Sequence, residues 1–131
     1  MNIEEYTQLA IQDLRWELSE FQKHAKELAR LKRVWGRYLY DEELNTAQAE
    51  QDLKQVYVAR YKYYKYDAPL QIDTKLIDTF VKGDDIYCAE EKKLIEQKAK
   101  EKFIHQVIGS IEQESFSMNN ILKHMLWEAG N

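Results

Sequence analysis

The sequence predicts an all-α protein of long amphipathic helices with a short C-terminal helix, assembling as an oligomer. Three observations carry this. The 131 residues include only four Gly and one Pro, so few positions break a helix and an all-β fold would lack its turns. Charged residues make up 32% of the chain against 44% apolar, with a mean hydropathy of −0.69, which suits long exposed helices better than a compact ball. Apolar residues recur in steps of three and four along most of the chain.

A single helical domain is expected over 1–131, with a long helical region at 1–66, a loop and short helix at 67–84, and C-terminal helices at 85–131. Asn2 and Glu5 have capping-box spacing. Leu14, Leu18, Phe21, Ala25 and Leu28 then form a coiled-coil-like seam that Trp35 and Tyr38 carry on. They predict helix from about Ile3 to Leu39, with Gly36 as the place for a bend. Leu44, Ala47, Ala49, Leu53 and Val56 keep the helical period. That segment either continues the first helix or turns back near Asp41, and the pattern fits both.

Asp67-Ala68-Pro69 ends the region, because Pro lacks the N–H that a helix needs and restricts the residue before it. Asp73 caps a short helix carrying Leu76, Ile77 and Phe80, with Gly83 at its end. Asp84 or Asp85 caps a third long helix. Its expected stripe is Ile95, Ala99, Phe103 and Val107, with Ile104, Ile108 and Ile111 beside it and Lys92, Glu96 and Lys100 opposite. Ser117 is the expected cap of the last helix, with Phe116 and Ile121 at hydrophobic-staple spacing. Met118, Ile121, Leu122, Met125, Leu126 and Ala129 then make a wide apolar face. It packs on the chain's own helices or on a second copy, and its width favours the second copy.

Signals of catalysis are weak. HExxH, GxGxxG, P-loop and GxSxG patterns are absent, and His24, His105 and His124 are far apart in sequence. The expectation is a non-enzyme with no cofactor and no metal. The carboxylates Glu42-Glu43, Asp84-Asp85 and Glu90-Glu91 read as helix-end and exposed groups. The single Cys88 excludes an internal disulfide and a Cys-rich zinc site, and reads as a small buried apolar residue. With no signal segment and no long apolar run, a soluble cytoplasmic protein away from membranes is expected.

The net charge is −4 and the pI about 5.4, which argues against a generic nucleic-acid binder. The distribution says more than the sum. Lys54, Arg60, Lys62 and Lys65 occur with no carboxylate between them, and Gln22 to Tyr40 carries six cations against Glu27 alone. The second run is either a further DNA surface or a solvated helix face.

The segment VARYKYYKYDAP, Val58 to Pro69, interleaves rings with cations. On a helix, Tyr57, Tyr61 and Tyr64 share a stripe that Lys54 and Lys65 extend, with Val56, Arg60 and Tyr63 beside it. Stacking rings beside phosphate-binding cations suit sequence-tolerant binding of single strands, while a tyrosine-rich packing face is the structural alternative. A β-strand would find no partner strand in this chain.

The same segment resembles the signature of the UvsY recombination mediators of T-even-like phages, basic–Ala–basic–x–acid–Tyr–Tyr, here Val58 to Tyr64. The C-terminal end is similar too: Phe116, Met118 and Ile121, then Trp127-Glu128-Ala129-Gly130. Val58 and Lys62 depart from the signature's first basic and its acidic position, while Lys62 and Lys65 keep the local charge. The resemblance implies a non-catalytic mediator of phage homologous recombination and repair, working in the cytoplasm of the infected host. It would bind single-stranded DNA and the phage single-stranded DNA-binding protein, and help load a RecA-like recombinase. It would form a ring-shaped homo-oligomer of six or seven subunits, a number that belongs to the resemblance. On this reading Lys54, Arg60, Lys62 and Lys65 contact phosphate, and Tyr61 and Tyr64 stack or shape the surface. Met118, Ile121, Leu122, Met125 and Leu126 carry assembly. The alternative is a coiled-coil adaptor that binds protein partners only.

Overall fold

A computed structural model describes residues 1–15 and 21–130, the side chain of Phe21 excepted. The described chain is helical, in the order α1 (Ile3–Leu14), α2 (Phe21–Lys62), α3 (Ile77–Lys82) and α4 (Asp85–Ala129). A π-helical turn, Tyr63–Asp67, extends α2, and a 3-10 turn, Thr74–Leu76, precedes α3. None of the described helices is long and apolar enough to cross a membrane.

The Asn2 side chain accepts the Glu5 N–H at 2.8 Å and starts α1 as expected. The single helix expected over 3–39 is a correction: α1 stops at Arg15, whose backbone is extended (φ −80°, ψ 126°). Packing decides this. The rings of Tyr6 and Trp35 lie 6.0 Å apart, whereas one unbroken helix would separate them by roughly 40 Å. Leu18 and the Phe21 side chain, both in the expected seam, lie outside the described residues. From Phe21 onward α2 passes Gly36 and Asp41 without a break, which settles continuation over a turn near Asp41.

The chain forms two compact units, Met1–Asp41 with Lys100–Asn131, and Glu42–Ala99. Both long helices contribute to each. In the first unit, Tyr6 and Ala10 of α1, Leu28, Leu31 and Trp35 of α2, and Ile104, Val107, Ile111 and Met118 of α4 form the core. Trp35 is fully buried, donates its indole N–H to Asp13 at 3.0 Å, and meets Tyr38 edge to face at 5.2 Å. His24 is buried, and its Nε2 lies 2.9 Å from Glu114.

In the second unit Ile77, Val81 and Leu94 are buried. Asp73 caps the 3-10 turn by accepting the Lys75 N–H, and Gly83 closes α3 by donating to the Thr79 carbonyl at 3.2 Å. Glu42, expected at an exposed helix start, is buried in mid-helix instead. Its carboxylate accepts Gln97 at 2.8 Å and Asn45 at 3.3 Å. Gln97 also reaches Glu42 O and the Thr46 hydroxyl. A buried carboxylate tolerates its site only with such partners.

The buried positions of α4 explain two further corrections. Leu94, Gln97, Glu101, Ile104, Ile108, Ile111, Ser115 and Met118 alternate in steps of three and four and are all at least half-buried. Ile95 of the expected stripe is 60% exposed, because polar Gln97 and Glu101 occupy seam positions. The helix then continues through Ser117, so the described residues hold no separate C-terminal helix, and Phe116 is exposed. Gly and Pro are absent between Ser110 and Ala129, and the seam runs on from Ile111 to Met118. Cys88 lies off the seam and is exposed rather than buried, its thiol donating to the Lys82 carbonyl at 3.2 Å.

Ile111→Ala should lower unfolding free energy by about 2–5 kcal/mol, and Ile95→Ala should change it by less than about 0.5 kcal/mol. Urea unfolding at fixed protein concentration checks this; equal losses would refute the seam described.

Candidate nucleic-acid interface

The basic–aromatic segment is the end of α2 and its π-helical turn. Widening of the last turn has a local cause: the Ala68 N–H donates to Tyr63 O at 2.9 Å, the final donor before Pro69, which has none. The chain leaves the helix there, as the Asp67-Ala68-Pro69 stop requires.

One side of this helix end is tied to the rest of its unit through Asp84. That side chain is 6% exposed. Its Oδ2 accepts Arg60 Nη2 at 2.9 Å, Arg60 Nε at 3.1 Å and the Tyr64 hydroxyl at 2.7 Å. Its Oδ1 accepts the N–H groups of Ile86 and Tyr87 at 2.9 and 3.0 Å, which caps α4. Burial pushes the Asp84 carboxyl up. The hydrogen bonds from Tyr64, the Tyr87 N–H and Arg60 outweigh that and bring it down to about 2. The same hydrogen bonds to Asp84 raise Arg60 and Tyr64.

Around this centre the rings pack on each other. Arg60 lies over Tyr63 at 4.3 Å, Tyr63 meets Tyr64 edge to face at 5.2 Å, and Tyr64 meets Phe80 at 5.7 Å. One turn earlier Tyr57 donates to Asp78, which lifts the phenol to about 12, and its ring meets Tyr87 at 6.0 Å. Asp78 is held low by Tyr57 and then by Lys82, 3.2 Å away.

The expected tyrosine stripe therefore divides. Tyr57, Arg60 and Tyr64 face inward to Asp78 and Asp84, so neither the Arg60 guanidinium nor the Tyr64 ring is a free contact surface. Lys54, Val58, Tyr61 and Lys65, at i, i+4, i+7 and i+11, form the outward stripe, with Lys62 beside it. Lys54, Lys62 and Lys65 are exposed and Tyr61 is half-buried, its ring 6.2 Å from Tyr57. Sequence reasoning missed Tyr66, whose ring is 71% exposed with Lys65 Nζ 5.3 Å above it. It also treated Asp84 only as a cap, since nothing in the sequence pairs it with residues 20 and 24 positions earlier.

The expected assembly residues divide too. Ile121, Leu122, Met125 and Leu126 are exposed on the last turns of α4, with Phe116 and Trp127. Met118 is 4% exposed and belongs to the core of its own chain.

This all-α architecture is shared with solved crystal structures of a bacteriophage protein. The crystal structure of the bacteriophage T4 recombination mediator protein UvsY in one lattice matches with a TM-score of 0.82 at 18% identity, covering 98% of this chain and 99% of that one. In a second lattice the TM-score is 0.87 at 17% identity, covering 98% of each. No protein-family model matches the chain, and no curated protein matches its sequence significantly.

Asp84 makes acid stability testable. Its folded pKa lies below its ordinary 3.8, so its stabilising contribution is present above that value and fades as pH falls toward 2. Loss of the whole contribution amounts to roughly 2 kcal/mol. Asp84→Asn keeps a capping residue but removes the charge beside Arg60, so wild type should be more stable than the variant at pH 6 and converge on it near pH 2. Urea unfolding across that range checks this; a constant difference would contradict it.

Proposed function

We propose that this protein is a non-catalytic recombination mediator that binds single-stranded DNA and helps load a RecA-like recombinase during phage homologous recombination and repair. The observation that carries the reading is the fold shared, over nearly its whole length, with a protein described as a recombination mediator. The outward stripe of the basic–aromatic segment supports it. Lys54, Lys62 and Lys65 supply phosphate contacts, and Tyr61 and Tyr66 supply faces on which bases stack. Arg60 and Tyr64 build the platform from beneath. The phage single-stranded DNA-binding protein is the further partner in this reading.

The exposed end of α4 supports assembly in this reading. Ile121, Leu122, Met125 and Leu126 offer an apolar face to a second copy. A ring of six or seven subunits would repeat the DNA stripe and turn a weak contact into a tight one, which reconciles binding with a net charge of −4. Met118 acts indirectly, by holding α4 in the core.

Lys62→Ala with Lys65→Ala should weaken oligonucleotide binding and reduce the slope of log affinity against log salt by about 1.4, two contacts at roughly 0.7 each. Fluorescence anisotropy with a labelled single strand at several salt concentrations reads both. Unchanged affinity and slope would sink the assignment, and no binding by wild type at low salt would favour a protein-only adaptor.

Leu122→Glu with Leu126→Glu should reduce the solution mass toward that of one chain, measured by light scattering. An unchanged mass would remove this face from assembly.

A further inference from the structure

Lys26, Arg30, Arg33 and Arg37 follow one another on α2 at i, i+4, i+7 and i+11, so they share one face. All four are exposed. Leu28, Leu31 and Trp35, buried in the core of the first unit, occupy the opposite face. The stripe is therefore a consequence of which side of α2 is buried, and it faces solvent for its full length of roughly 17 Å.

Its charge is available. Lys26, Arg33 and Arg37 make no ion pair among the described residues. Arg30 is held by Glu27 at 2.7 Å, which raises its pKa. Asp41, one turn past Arg37, forms no ion pair among the described residues. Lys32 points elsewhere and pairs with Glu112 at 3.3 Å. Tyr40, 59% exposed, continues the stripe three residues after Arg37.

We propose that this stripe is a second binding surface for the phosphodiester backbone of single-stranded nucleic acid, formed by Lys26, Arg30, Arg33 and Arg37 with Tyr40 as a stacking face. It shares the ligand class of the function proposed above, and on that point rests on it, but it uses different residues in the other unit. Two features favour this partner over an acidic protein. Three of the four cations are Arg, whose planar fork suits phosphate oxygens. An exposed ring ends the row, as single-strand grooves require and a charge-only contact does not.

The test is a set of three proteins: wild type, Lys26→Gln/Arg33→Gln/Arg37→Gln, and Lys62→Ala/Lys65→Ala. Each is titrated with a labelled single-stranded oligonucleotide and, separately, with a labelled poly-glutamate peptide, at several salt concentrations. All the substituted residues are exposed, and circular dichroism confirms that the variants fold. The expected result is a salt slope about 2 smaller in the triple variant, three contacts at roughly 0.7 each, with weaker binding at every salt concentration. If the triple variant shows this and the lysine pair does not, the stripe stands and the earlier site assignment falls. An oligonucleotide slope unchanged in the triple variant overturns the stripe, whatever the lysine pair does. Loss of poly-glutamate binding alone also overturns it, in favour of an acidic protein partner. Wild type that binds no oligonucleotide at low salt removes both proposals.

Discussion

A single buried carboxylate organises the part of this protein that bears its candidate site. Withdrawing Asp84 from water would cost several kcal/mol if it were left alone. Five donors surround it instead: two nitrogens of Arg60, the Tyr64 hydroxyl and two backbone N–H groups at the start of α4. The compensation reaches outward. Because Arg60 must meet Asp84, it lies over Tyr63, and because Tyr64 must meet the same oxygen, its ring abuts Phe80. Tyr57 is fixed one turn away by Asp78. The rotational setting of the end of α2 is thus over-determined, and with it the identity of the residues left facing solvent.

That setting divides one basic–aromatic sequence into two kinds of residue. Those turned inward have their charge and hydroxyl groups satisfied by protein. Those turned outward, Lys54, Lys62 and Lys65 with Tyr61 and Tyr66, keep hydration that a polyanion can displace. The same logic governs the first unit, where burial of Leu28, Leu31 and Trp35 leaves Lys26, Arg30, Arg33 and Arg37 in a row. In both units local positive charge sits on a chain with net charge −4, so the field at a helix face, rather than the total, is what an approaching strand would meet.

Much of the fold was legible, and the failures have physical causes. The caps at Asn2, Asp73 and Gly83 and the stop at Asp67-Ala68-Pro69 are local chemistry, and the structure has them as read. The stripe of α4 is not legible from apolar residues alone, because polar Gln97 and Glu101 stand on the seam while apolar Ile95 lies off it. Glu42 was misplaced for the same reason: its burial depends on Gln97, which is 55 residues away. Ser117 looked like a cap because Ser favours caps, but a cap forms only where a helix has reason to start, and Met118 keeps α4 anchored in the core. The candidate site was legible as a segment, while the partition of Arg60 and Tyr64 from Lys62 and Lys65 was not.

By itself, then, the sequence determined what depends on near neighbours. Helical class follows from the scarcity of Gly and Pro, helix ends from capping side chains, and the local excess of cations over carboxylates from the order of residues along the chain. Only the tertiary structure decided where the first helix stops, because the Tyr6–Trp35 contact outweighs the propensity to continue. It alone decided which face of each long helix is buried, since a seam with polar members gains its stability from partners distant in sequence. And it alone decided which cations remain free, because the carboxylate that claims Arg60 is brought to it by the packing of α4 against α2 within that unit.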